Sequence, residues 1–181
     1  MATLSDVSII EALMKKELII TPLEGRQIQA ASVDLKLGKG FLRVSPYQIV
    51  EANSKVEYEK TKNDGFHVLK PNDFVLGTTK EWLEIPNTLE GQVCGKSTWA
   101  RKGLIVEMAG FIDPGFPGNI TLEIKNIGPA PILIRSNDLI CQIKFSKLTK
   151  KCSVGYNNKY VGQKGVTGAR REKGNGQSNK M

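Results

Sequence analysis

The sequence is short of the residues that many enzyme chemistries need. Among 181 residues there is one histidine, His67, and there are three cysteines, Cys94, Cys141 and Cys152. The cysteines are odd in number and scattered. That excludes a disulfide framework and a Cys-x-x-Cys pair of zinc ligands, and a reduced, cytoplasmic chain is the simpler expectation. A nucleophile paired with histidine could draw only on His67. Its neighbours Val68 and Leu69 offer it nothing, so a structural role is expected there. Apolar runs are short and broken by charges, so no segment can span a bilayer. Asp6 and Glu11 interrupt the apolar N-terminal stretch, which argues against a signal peptide. Helical periodicity is also scarce, and it is convincing only near the N-terminus.

With 40% hydrophobic and 24% charged residues, the composition is that of an ordinary globular protein, long enough for one domain. The formal net charge of +8 is uneven: from Lys144 onward ten Lys/Arg face one acid, Glu172, so the remainder of the chain is near neutral. A basic tail can neutralise nucleic-acid phosphates. It can equally belong to an enzyme whose C-terminal arm closes over a triphosphate.

The periodic residues Ile9, Ile10, Leu13 and Met14 predict a helix over Ser5–Leu18. Ser5 or Ser8 can cap it, Ser8 with Glu11 fits a capping box, and Pro22 bounds it. Beyond it, short apolar or alternating runs are separated by Gly, Pro, Asn and Asp: Ala31–Leu37, Phe74–Thr79, Gln92–Cys94, Asn119–Lys125, Ile132–Ile134 and Leu139–Phe145. Many short strands with frequent turns predict a sandwich or closed barrel. In Asn119–Lys125 the apolar Ile120, Leu122 and Ile124 should face the core, with Thr121 and Glu123 on the opposite face. The expected organisation is a β domain over 1–155 and a flexible basic arm over 156–181. Lys159–Thr167 should order on binding something, and Arg171–Met181 should be disordered.

Four constellations could carry chemistry. Gly95-Lys96-Ser97-Thr98-Trp99-Ala100-Arg101 sets two cations and two hydroxyls beside a glycine, which suits an anion, and arginine can grip phosphate with two parallel hydrogen bonds. It is not a P-loop: the first glycine of that motif would stand at position 90, which is Glu90. An ordinary basic turn is the competing reading. Ala109–Gly118 is a tight Gly/Pro excursion holding Asp113. Such an Asp commonly caps backbone amides, or else it binds a hydroxyl or places a water. Glu123 matters if its strand face lines a pocket. Tyr156, Lys159, Tyr160, Gln163, Lys164 and Gly165 interleave rings and cations as a base-and-phosphate clamp does, or as a solvated tail does.

Taken together these segments resemble the dCTP deaminase family, a branch of the trimeric dUTPase-like fold, from about Leu4 to Thr167. The resemblance rests on Gln27–Gly38, Gly95–Arg101, Ala109–Glu123, Ile140–Ile143 and Lys159–Gly165 in that order, and on the ten-residue step from Asp113 to Glu123. It implies a mainly β, distorted barrel or jelly roll with a short N-terminal helix, assembled as a homotrimer with shared active sites. It implies that Glu123 is the general base and acid, that Ser97 and Arg101 orient the water and stabilise charge, and that Asp113 meets the sugar. Lys96, Ser97, Thr98, Trp99, Ala100 and Arg101 would bind the phosphates of a neighbouring subunit's nucleotide. Thr121, Leu122 and Gln142 would contact the nucleotide, and Tyr156, Lys159 and Gln163 would close over it, with Mg2+ accompanying the triphosphate. Zinc is not implied: the zinc nucleobase deaminases need His-x-Glu and Pro-Cys-x-x-Cys, and neither is present. Gly110-Phe111 stands where members that only deaminate carry His-Arg. The branch implied therefore deaminates dCTP and hydrolyses the bound dUTP to dUMP and pyrophosphate. The ligands would be dCTP and dUTP, with dTTP as an inhibitor. The alternatives are a deaminase releasing dUTP, a dUTPase alone, a non-catalytic nucleotide-binding regulatory module, and a nucleic-acid binder resting on the tail alone.

Overall fold

The computed structural model describes residues 2–61, 65–107 and 111–171. In chain order the elements are β1 (Ala2–Thr3), α1 (Asp6–Met14), β2 (Ile19–Thr21), β3 (Ile28–Gln29), β4 (Ser32–Lys36), β5 (Leu42–Val44), β6 (Tyr58–Lys60) and β7 (Phe66–Leu69). They continue with β8 (Phe74–Glu84), β9 (Leu89–Gly95), α2 (Ser97–Ala100), β10 (Leu104–Glu107), β11 (Pro117–Asn126), β12 (Ile132–Arg135) and β13 (Leu139–Lys147). The chain is mainly β, as the turn-punctuated pattern predicts.

Helix α1 ends four residues before the predicted Leu18. Lys16 takes a left-handed conformation, φ 56°. The Lys16 amide donates to Leu13 O, and the Glu17 amide to Ala12 O. This is a Schellman closure made without its usual glycine, so the stop signal was missing from the sequence. At the other end Ser5 Oγ accepts the Ser8 amide at 3.4 Å. Ser8 lies inside the helix as the capped residue, so the Ser8–Glu11 box does not form the start.

Two sheets carry the fold. In one, β13 is flanked by β9 on one side and by β4 and β1 on the other, with β3 beyond β4. In the other the order is β10-β11-β8-β5-β6, with β2 also on β8; β7 and β12 form a separate pair. An antiparallel bridge Leu37–Thr79 links the two large sheets, and a second, Gly91–Ile112, ties β9 to the segment that leads into the Asp113 turn. Apolar faces from both sheets meet in one core that includes Leu35, Leu37, Ile124, Ile140, Ile143 and Phe145, all fully buried. The alternation expected on β11 holds: Ile120, Leu122 and Ile124 are 3%, 0% and 0% exposed, while Thr121 and Glu123 are half-buried on the other face.

The register of β11 against β8 breaks once. Asn119 pairs with Trp82 and Thr121 with Thr78, so residues 79–81 of β8 bulge opposite Ile120. Inside that bulge Glu81 is fully buried. Its carboxylate accepts from Gln27 Nε2 at 2.9 Å and from the Lys36 amide at 3.0 Å. Burial pushes the Glu81 carboxyl above its ordinary range, and these hydrogen bonds oppose the shift.

Candidate active site

A cavity of about 500 Å³ opens between β11, the Asp113 turn and the C-terminal arm. That is the size of an ordinary small-molecule site. Asp113, Thr121 and Glu123 contribute to its wall, with Phe111, Phe116, Tyr156, Tyr160 and Gln163. Strand β11 explains half of this. Its apolar residues are held in the core, so Thr121 and Glu123 must face the cavity, Thr121 from backbone paired with β8 and Glu123 from backbone paired on both sides, with Leu76 of β8 and Glu107 of β10.

The Asp113 turn supplies the other half. Phe116 N–H donates to Asp113 O at 3.2 Å, and Gly115 N–H to Ile85 O at 2.9 Å. Asp113 is exposed to the cavity, and its carboxylate caps no backbone amide among the described residues.

The arm is fastened over the cavity by the chain's own groups. Tyr156 N–H donates to Pro114 O at 2.7 Å, and its ring packs on Phe116 with centroids 5.4 Å apart. Gln163 bridges to Gly118 in parallel, and the Asn119 amide donates to Gln163 O at 3.0 Å. A Cβ on Gly118 would come within 3.1 Å of Gln163 O, so glycine lets the arm lie this close. Farther along, the Ala169 amide donates to the Tyr58 hydroxyl at 2.8 Å. Gly168 lies against the ring of Tyr58, where a Cβ would be 2.4 Å from the nearest ring atom. Composition leaves this segment without structure of its own; its contacts come from residues as distant as Tyr58. Lys159 is half-buried, with Nζ over the Tyr160 ring at 5.5 Å.

The remaining site residues stand elsewhere. Ser97, Thr98, Ala100 and Arg101 are exposed on or beside α2, at the end of β9. Trp99 is half-buried and donates Nε1–H to Leu139 O at 2.9 Å. Lys96 Nζ pairs with Asp34 Oδ2 at 2.5 Å. Gln142 lies between Asp34 and Cys94 in the strand register, and its Oε1 accepts from Ser32 Oγ at 3.2 Å. None of residues 96–101, nor Gln142, lines the cavity. The Leu122 side chain is wholly buried in the core, which leaves its backbone as the group a nucleotide could meet. Gly110 lies outside the described residues, while Phe111 is 57% exposed at the cavity.

Two residues escaped the sequence reading. Asp34 has its second carboxylate oxygen buried and without a partner among the described residues; its signal was the alternation Ser32, Asp34, Lys36 on the polar face of β4. Tyr58 had no signal, because its role depends on a partner 111 residues away.

The cavity wall includes two acids, Asp113 and Glu123. No group of three or more His, Cys, Asp or Glu among the described residues could hold a metal ion. No described helix is long and apolar enough to cross a membrane.

A family model described as dCTP deaminase-like matches residues 3–148. A dCTP deaminase, dUMP-forming, from Persephonella marina is 38% identical over 174 residues, covering 92% of this chain and 96% of its own. A protein of the same description from Sulfurihydrogenibium sp. is 40% identical over 174 residues, with the same coverage of both chains. Among solved structures, the 2'-deoxycytidine 5'-triphosphate deaminase from Agrobacterium tumefaciens superposes with a TM-score of 0.61 at 23% identity. That overlay covers 79% of this chain and 47% of the other, so this chain matches less than half of that longer one.

Proposed function

The chain belongs to the dCTP deaminase-like family, and from that membership we propose that it deaminates dCTP and then hydrolyses the bound dUTP to dUMP and pyrophosphate, supplying dUMP for thymidylate synthesis. The observation that carries the proposal is Glu123, a carboxylate presented by a rigid strand to a nucleotide-sized cavity that it shares with Asp113 and Thr121. In the first step Glu123 takes a proton from water as the oxygen adds to C4 of cytosine, and delivers it to N3. It then moves the hydroxyl proton to the amino group. The C4–N bond breaks, ammonia leaves and the C4 carbonyl of uracil forms. One positioned carboxylate serves as base and then as acid. In the second step water attacks the bound dUTP, and pyrophosphate departs. Asp113 holds the deoxyribose hydroxyl, Thr121, Leu122 and Gln142 contact the nucleotide, and Tyr156, Lys159 and Gln163 close the arm over it. Phe111, with Gly110, sets the dUMP-forming outcome.

A triphosphate cannot sit beside two carboxylates without cations. Lys159 of the arm is one such cation; the other candidates by motif, Lys96 and Arg101, are carried at the end of another sheet. This supports a homotrimer in which residues 96–101 of one subunit serve the nucleotide of the next: Lys96 and Arg101 on the phosphates, with Ser97 and Arg101 also at the attacking water. The trimer closes the dUTPase-like barrel. Magnesium belongs to the substrate and is carried by its phosphate oxygens. Zinc takes no part, and dTTP competes as a pyrimidine triphosphate of similar size.

The test is one incubation with dCTP and magnesium, with and without a zinc-selective chelator, in which ammonia, nucleotides and pyrophosphate are measured. Ammonia with dUMP and pyrophosphate, unaffected by the chelator, is the expected result. Ammonia with dUTP removes the second step, and the absence of ammonia overturns the deaminase.

A further inference from the structure

The face of β11 that presents Glu123 also presents Asn119 and Thr121, at alternate positions. The arm runs along this face in matching two-residue steps. The Gly165 amide donates to Asn119 Oδ1 at 3.0 Å, and the Thr167 amide donates to Thr121 Oγ1 at 3.2 Å. Farther along the arm, the Ala169 amide donates to the Tyr58 hydroxyl.

Asn119 is the most heavily used polar residue of this arrangement. Its backbone N–H donates to Gln163 O at 3.0 Å, and its backbone O accepts Gln163 Nε2–H at 2.6 Å. Its side-chain Nδ2 turns the other way and donates to Glu81 O at 2.9 Å and Thr79 O at 3.3 Å, in the β8 bulge. Those carbonyls sit where the register shift has removed their ladder partners. A carboxamide alone among small side chains offers donors to one side and an acceptor to the other.

We propose that Asn119 is a positioning residue that rivets the C-terminal arm to the β8 bulge, so that the arm docks along the strand face leading to Glu123. The proposal rests on the reading that the arm covers a bound triphosphate.

The test uses Asn119→Ala and Asn119→Asp in the full chain. Alanine removes both side-chain links. Aspartate keeps the size but sets a carboxylate against two carbonyl oxygens, so it must turn away from the bulge. Without nucleotide, trypsin should cleave after the exposed Lys164 and Arg170 about tenfold faster in both variants than in the parent. With dCTP, KM should rise about tenfold while kcat changes less than about threefold, as when binding alone is lost. A folded variant with parental cleavage and parental KM overturns the proposal. So does a lowered thermal midpoint with the arm still protected, because Asn119 would then serve the bulge alone. The tryptic arm needs no turnover, so failure of the parent to deaminate dCTP would sink the functional reading and leave the rivet to be judged by cleavage.

Discussion

The Thr167 amide donates to the Thr121 hydroxyl at 3.2 Å, fastening the C-terminal arm two residues from Glu123 on the same strand face. The wall that carries the proposed base and the lid that covers it are thus one hydrogen-bonded unit.

Glu123→Gln keeps the shape of the wall and removes the proton acceptor. Deamination should fall by about 10²–10⁴-fold, the usual contribution of a positioned acid–base group. Binding of dCTP by calorimetry should persist. Normal ammonia release from the variant would remove Glu123 from the chemistry.

The separation of residues 96–101 from the cavity of their own chain predicts complementation. In the proposed homotrimer, Glu123→Gln and Arg101→Ala should each be inactive alone. Coexpressed, they should recover activity, because some sites then combine an intact Glu123 with an intact Arg101 from the neighbour. Mixed assemblies with no recovered ammonia release would mean that each site is built from one chain, as would full activity in a monomer by light scattering.

Gly168→Ala places a Cβ 2.4 Å from the Tyr58 ring, and the backbone of the arm must retreat. Overpacking of this kind costs about 1–3 kcal/mol. Hydrogen exchange at the Thr167 and Ala169 amides should therefore accelerate by about tenfold or more. Unchanged exchange would show that the arm does not depend on its seat against Tyr58.

His67 is half-buried against Phe41, with ring centroids 5.0 Å apart, and its Nε2 has no partner among the described residues. Burial holds its pKa below the ordinary 6.5, and the nearby Arg43 adds to the shift while Asp73 opposes it. The folded chain then takes up this proton less readily than the unfolded chain. The stabilising effect is full above the ordinary histidine value, and it is lost as pH falls from there through the folded-state pKa. Urea midpoints at pH 7.5 and 5.5 should differ less in His67→Phe than in the parent. An equal drop in both would assign the acid sensitivity to other groups.

Local pattern was enough wherever one strand face had to be buried. The alternation of Ile120, Leu122 and Ile124 placed Glu123 on the face away from the core because successive side chains of a regular strand point to opposite faces. Pattern fell short at α1, where Lys16 adopts the left-handed turn usually left to glycine. It also fell short at the arm, whose low apolar content hides the Asn119, Thr121 and Tyr58 contacts that hold it.

By itself the sequence determined the mainly β character, the motifs in their order, the family they identify and the strand face of Glu123. Those follow from local periodicity and residue chemistry. Tertiary structure alone decided that the Asp113 turn and β11 share a cavity, that the arm seats on Asn119 and Tyr58, and that residues 96–101 stand apart from that cavity. The physical reason is that these depend on strand register and on contacts between residues far apart in the chain. Their hydrogen-bonding partners are set by how the two sheets are laced together, which no local window of sequence contains.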